Sequence, residues 1–102
     1  MDLNLTTKKE GGLITVALDG EINTATAPEL NNVLEQSIPE TDDLRLDFAK
    51  CDFVSSAGLR VLLNSYKAMR AKKGKIEFLN IGPNFKEVLY ITGLDAVFNT
   101  KK

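Results

Sequence analysis

The chain has 102 residues, of which 43% are hydrophobic and 26% charged, and its net charge of −1 argues against direct binding of nucleic acid. This size and composition are typical of one soluble domain, which we expect to span residues 1–102. With no histidine and with Cys51 as the sole cysteine, the sequence lacks the residues for a usual zinc site, an internal disulfide or a Ser-His-Asp or Cys-His catalytic site.

The N-terminal segment predicts a β-hairpin. Two strand-like runs meet at "KKEGG", where Gly11 and Gly12 can adopt the positive φ angles of a tight turn. The second run, Leu13 to Leu18, is almost continuously apolar, so we expect a strand that is covered on both faces. No apolar leader precedes it, which predicts a cytoplasmic protein without membrane insertion.

The segment "TATAPELNNVLEQSI" predicts the first helix. Thr26 and Glu29 have the spacing of a capping box, Pro28 suits the first turn, and Pro39 marks the end. The apolar residues expected on its buried face are Leu30, Val33, Leu34 and Ile38.

The second half of the chain alternates strand and helix patterns. We predict a strand at Leu44–Phe48, a helix from about Ser56 to Lys73 with Gly74 as its C′ residue, and a strand at "KIEFLNI". Pro83 begins a third helix, and "AVFNT" predicts a last short strand. The buried face of the second helix is expected to hold Leu59, Leu62, Leu63, Tyr66 and Met69.

Strands separated by helices predict an α/β fold with a mixed, mostly parallel sheet of four to five strands, three or more helices and an N-terminal β-hairpin. In such sheets functional loops gather beyond the carboxyl ends of the strands. Ser55 and Ser56 lie at such a junction, before the second helix. This position suits a helix-capping serine or a phosphate, and Gly58 in the first turn indicates close approach by a strand or by a partner protein.

Three segments together resemble one known family. "FVSSAGLRVLL" (Phe53–Leu63) resembles the signature of the anti-sigma-factor antagonists, which are STAS domains. "LDGEINTATAPEL" (Leu18–Leu30) resembles the family's Gly-Glu-x-Asp segment, and "NIGPNFKEVLYITGLDAVF" (Asn80–Phe98) resembles its last helix. The resemblance covers nearly the whole chain and implies a small STAS-like domain.

The resemblance implies a binding protein without catalytic activity or cofactor. Family members bind an anti-sigma factor that is also a serine kinase, and thereby free a sigma factor. The kinase phosphorylates a serine at the start of the second helix, which weakens binding, and a serine phosphatase restores it. The matching residue here is Ser56, with Ser55 as the weaker candidate. The partner-binding residues implied are Asn23, Thr24, Ser55, Ser56, Ala57, Gly58 and Arg60.

Two positions differ from the family pattern and leave an alternative open. Ser55 and Asn23 stand where phosphorylated members often have Asp. The alternative is a non-switching STAS subunit that docks an ATPase in a lipid-transport complex, with Ser56 only capping the helix. A basic strip at the end of the second helix suits a solvated helix terminus, and the alternative is a nucleic-acid or lipid patch. Its residues are Lys67, Arg70, Lys72, Lys73 and Lys75.

Overall fold

The structure is a computed structural model that describes residues 3–98 as four strands and four α-helices. A short 3₁₀ turn, Ile38–Glu40, follows the first helix and contains Pro39, which was predicted to mark the end of that helix. The elements in chain order are β1 (Leu3–Glu10), β2 (Leu13–Ile22), α1 (Ala27–Ser37), β3 (Asp43–Val54), α2 (Ser56–Ala71), β4 (Lys75–Leu79), α3 (Pro83–Thr92) and α4 (Leu94–Phe98).

The four strands form one mixed sheet in the order β1-β2-β3-β4. β1 and β2 are antiparallel, and they are joined by a turn in which Gly11 and Gly12 have φ angles of 54° and 88°. β3 lies parallel to both β2 and β4. The predicted α/β class, the mostly parallel sheet and the N-terminal hairpin are therefore confirmed.

One face of the sheet carries the core. Ile14, Val16 and Leu18 of β2 are buried, whereas the residues between them are half-buried. The expectation that β2 is covered on both faces is wrong, because its apolar run still alternates between a helix-covered face and a more open one. The helices contribute buried side chains to the same cluster, among them Leu30, Leu34, Leu62, Met69, Phe85 and Leu89.

The predicted final strand at "AVFNT" is also wrong. Its residues up to Phe98 lie in α4, and residues 99 and 100 lie outside the described part of the chain. Leu94 and Phe98 are four residues apart, so a helix brings both to one face. The Phe98 ring stacks on Phe78 of β4 at 4.6 Å between centroids and contacts Tyr66 of α2 at 5.6 Å. This aromatic packing favours the helix.

The C′ residue of α2 lies one position earlier than predicted. Lys73, with φ 62°, is the C′ residue, and Gly74 follows it as C″. The N–H groups of Lys73 and Gly74 donate to the carbonyls of Arg70 (3.0 Å) and Met69 (2.8 Å), which is the Schellman pattern. Glycine is required at position 74 for space, because a Cβ there would lie 3.0 Å from the carbonyl oxygen of Asp42.

Candidate functional site

The carboxyl ends of β2 and β3 lie side by side. β3 extends to Val54, well beyond the predicted Phe48, and pairs Phe53 with Glu21 and Val54 with Ile22 after two irregularities in the register. The Ser55 N–H then donates to the Ile22 carbonyl at 2.8 Å. The loops that follow the two strands therefore meet at one edge of the sheet, as expected for a parallel α/β arrangement.

The two serines have different structural roles. Ser55 is the N-cap of α2, with extended backbone geometry, and its hydroxyl accepts a hydrogen bond from the Gly58 N–H at 3.3 Å. Ser56 is the first residue of the helix and is exposed. Within residues 3–98 its hydroxyl has no hydrogen-bond partner. The Ser56 hydroxyl is thus accessible and unengaged, whereas that of Ser55 stabilises the helix.

Gly58 is required by packing. It is buried, and a Cβ there would lie 2.4 Å from Cγ2 of Ile22 and 3.1 Å from Cγ1 of Val54. The close approach indicated by the sequence is therefore made by the ends of β2 and β3. Gly58 was predicted as a partner contact, but it lies behind the surface and brings α2 close to the sheet.

The loop after β2 is held by its own side chains. The Asn23 side-chain oxygen accepts hydrogen bonds from the N–H groups of Ala25 and Thr26, both at 2.9 Å. The Thr26 hydroxyl accepts from the Asn23 N–H at 2.8 Å and donates to the Glu21 carbonyl at 2.7 Å. Thr26 is the N-cap residue of α1, but its side chain makes no capping bond, so the predicted capping box is wrong.

An open groove of about 520 Å³ runs between the N-terminal halves of α1 and α2. Ser56, Arg60 and Asn64 follow each other at four-residue spacing along the α2 side. Thr24 and Ala57, also predicted as partner contacts, line the groove with them. Among the described residues that line it, Arg60 is the only charged one.

Sequence reasoning missed several residues of this surface. Pro28, Asn31 and Asn64 line the groove, and the four-residue spacing from Ser56 through Arg60 was the signal that could have identified Asn64. Phe53, next to the site, is 51% exposed. The alternation that buries Leu44, Leu46 and Phe48, carried on along β3, buries Val54 and exposes Phe53, so the strand pattern was the signal for its exposure.

The thiol at this edge, that of Cys51, is buried. Burial raises the pKa of the Cys51 thiol to about 11, so the thiol stays protonated near neutral pH. Among residues 3–98 no group of His, Cys, Asp or Glu side chains could hold a metal ion. Nor does that part of the chain contain a helix long and apolar enough to cross a membrane.

Comparison with known proteins identifies the family. The STAS domain family model matches residues 4–102. The chain belongs to the STAS domain family. It is 32% identical over 97 residues to BtrV of Bordetella bronchiseptica, named as a candidate anti-sigma factor antagonist, and the match covers 94% of this chain and 84% of BtrV.

One further protein is similar to this chain in sequence, and one solved structure is similar to it in fold. The anti-sigma-B factor antagonist of Bacillus subtilis is 26% identical over 99 residues, which cover 97% of this chain and 91% of that protein. The crystal structure of an anti-sigma factor antagonist from Mycobacterium paratuberculosis superposes with a TM-score of 0.87 at 25% identity, over 96% of this chain and 84% of that one. The family inferred from the sequence is confirmed.

Proposed function

We propose that this STAS protein is an anti-sigma factor antagonist controlled by phosphorylation of Ser56. In the unmodified state it binds an anti-sigma factor through the groove between α1 and α2, and a sigma factor is released to direct transcription. The observation that carries the proposal is the exposed, unengaged Ser56 hydroxyl at the first position of α2, within a groove lined by polar and apolar side chains. The similarity to named anti-sigma factor antagonists supports the same role.

The partner in this proposal is an anti-sigma factor with serine kinase activity. The Ser56 oxygen bonds to the γ-phosphorus of ATP while the bond between that phosphorus and ADP breaks, and the hydroxyl proton passes to a base of the kinase. A serine phosphatase later hydrolyses the ester with water and restores the hydroxyl. This STAS protein is the substrate in both steps, so it needs no catalytic residue or cofactor of its own.

The phosphate acts at the interface and leaves the fold intact. It adds about −1.5 to −2 charges and three strong acceptors. At the start of a helix, free N–H groups and the helix dipole tolerate negative charge, so α2 should stay folded. The groove, whose one charged lining residue among those described is Arg60, becomes negative overall. The bulk and charge of the phosphate then oppose binding of a partner that fitted the unmodified surface.

The roles of the two serines favour Ser56 as the phosphorylated residue. Ser55 is half-buried and its hydroxyl already accepts the capping bond from the Gly58 N–H, whereas Ser56 is exposed. In the lipid-transport alternative Ser56 serves only as a cap, but that capping role belongs to Ser55. The Asn23 side chain accepts two hydrogen bonds within its loop without carrying a negative charge.

The remaining parts of the proposal follow from this role. Because sigma factors act on transcription, we place the protein in the bacterial cytoplasm, as one STAS domain over residues 1–102. We propose no direct contact with nucleic acid. Lys72, in the basic strip, donates hydrogen bonds to the carbonyls of Ile38 (2.6 Å) and Thr41 (2.9 Å), which favours a structural role for that side chain.

Phosphorylation of serine variants by the serine-kinase anti-sigma factor of the same organism tests the proposal. With ATP, the unmodified chain and Ser55→Ala should become phosphorylated, and Ser56→Ala should not. Mass spectrometry of the intact protein and of its peptides measures this, with an inactive kinase as the control. Labelling of Ser56→Ala to the level of the unmodified chain, or phosphate found on Ser55 alone, would disprove the assignment.

A further inference from the structure

We propose that the phosphate on Ser56 is bound by Arg60 of the same chain, so that one modification removes two side chains from the partner-binding groove. The inference rests on the proposed function, because it concerns the same serine. It adds an internal hydrogen-bond donor for the phosphate and a second role for Arg60.

The two side chains are placed to meet. Ser56 and Arg60 are four residues apart on α2, where Cβ atoms are about 5–6 Å from each other. Both are exposed, and both line the groove between α1 and α2. The planar guanidinium group of arginine binds phosphate oxygens through two parallel N–H bonds, a geometry that lysine cannot reproduce. A phosphate added to Ser56 therefore lies within reach of a well-matched hydrogen-bond donor, the Arg60 guanidinium group.

Arg60 is also available for this role. Within residues 3–98 it forms no salt bridge and no side-chain hydrogen bond. Two other cations of α2 and its C-terminal end are engaged: the Arg70 guanidinium donates to the Tyr66 hydroxyl at 3.3 Å, and Lys72 donates to two carbonyls. No acidic side chain is found among the described residues that line the groove, so none there competes for Arg60.

The consequence is a switch with two linked parts. In the unmodified protein Arg60 is free to pair with a carboxylate of the partner. After phosphorylation the same guanidinium group turns to the phosphate, and that pairing is lost. The positive charge that attracted the partner's carboxylate is neutralised, and the surplus negative charge of the phosphate repels it.

Titration of the phosphate tests the inference without the kinase. Phosphoserine is incorporated at position 56 during protein synthesis by genetic code expansion, and its second ionisation is followed by phosphorus NMR. A nearby guanidinium group favours the dianion and lowers its pKa below the ordinary value of about 6. Arg60→Gln should raise that pKa by roughly half a unit or more. Arg60→Lys should recover part of the shift, because the charge is kept and the paired geometry is lost.

The matched control is Lys67→Gln, which removes one exposed positive charge from the same helix two turns further on. It should leave the pKa of the phosphate unchanged. The inference would be overturned if Arg60→Gln left the pKa of the phosphate the same as in the phosphoprotein that keeps Arg60. It would also be overturned if Lys67→Gln shifted that pKa as much as Arg60→Gln does. Because the phosphate is installed directly, a failure here is distinct from a failure of the kinase to recognise Ser56.

Discussion

At the scale of single residues, adjacent identical side chains perform different tasks. Ser55 and Ser56 both suit a helix start by composition, and local sequence cannot decide which one caps. A tertiary contact determines which serine caps α2: the hydrogen bond from the Ser55 N–H to the Ile22 carbonyl ends β3 and sets the register of α2. Ser56 thereby becomes the first helical residue with a free hydroxyl.

Gly58 provides a test of the packing that sets this register. Gly58→Ala should destabilise the protein by up to about 2 kcal/mol, because overpacking against Ile22 costs roughly 1–3 kcal/mol and the better helix propensity of alanine returns only about 1 kcal/mol. Denaturant unfolding measures the change. Ala68→Gly, at an exposed position of α2, is the control that isolates propensity. A stabilised Gly58→Ala variant would contradict the packing account.

At the scale of elements, α3 is held by a side chain from β3. One carboxylate oxygen of Asp52 accepts from the Phe85 N–H at 3.0 Å, and the other accepts from the Asn84 side chain at 3.0 Å. The N-cap residue itself is Gly82, which has no side chain to cap with. Asp52, a residue of β3 three positions before Ser55, therefore caps the N-terminus of α3.

Replacing this carboxylate should weaken α3. Asp52→Ala is expected to lower the free energy of unfolding by about 1–2 kcal/mol, the usual cost of a lost N-cap. Asp52→Asn, which keeps one acceptor oxygen, should lose less. Denaturant unfolding and amide exchange at Phe85 report the effect. Equal losses in the two variants, or no loss in either, would show that Asp52 does not cap the helix.

Elements whose apolar residues recur at a clear spacing were predictable from sequence, and elements determined by distant contacts were not. The hairpin, α1, α2 and α3 follow from turn glycines and apolar spacing. The segment ending at Phe98 was mistaken for a strand, because its short apolar run fits either structure and aromatic contacts with Tyr66 and Phe78 decide between them. The extension of β3 to Val54 likewise depends on pairing with β2 through an irregular register.

At the scale of the whole molecule, the parallel sheet brings distant segments to one edge. The loop after β2 and the start of α2 are about thirty residues apart in the chain, yet the bond between Ser55 and Ile22 joins them. Family resemblance selected part of this surface from sequence, namely Thr24, Ser56, Ala57 and Arg60. It could not separate these groove residues from Gly58 and Asn23, because that distinction depends on burial and on hydrogen bonds in the folded chain.

The most direct test of the central claim is a calorimetric titration of the anti-sigma factor with two forms of this protein. The unmodified chain should bind, and the chain carrying phosphoserine at position 56 should bind at least about tenfold more weakly, which corresponds to about 1.4 kcal/mol. Circular dichroism should show the same fold and a similar melting temperature for both. Equal affinities, or a phosphorylated form that has lost its fold, would contradict a switch that acts at the surface of α2.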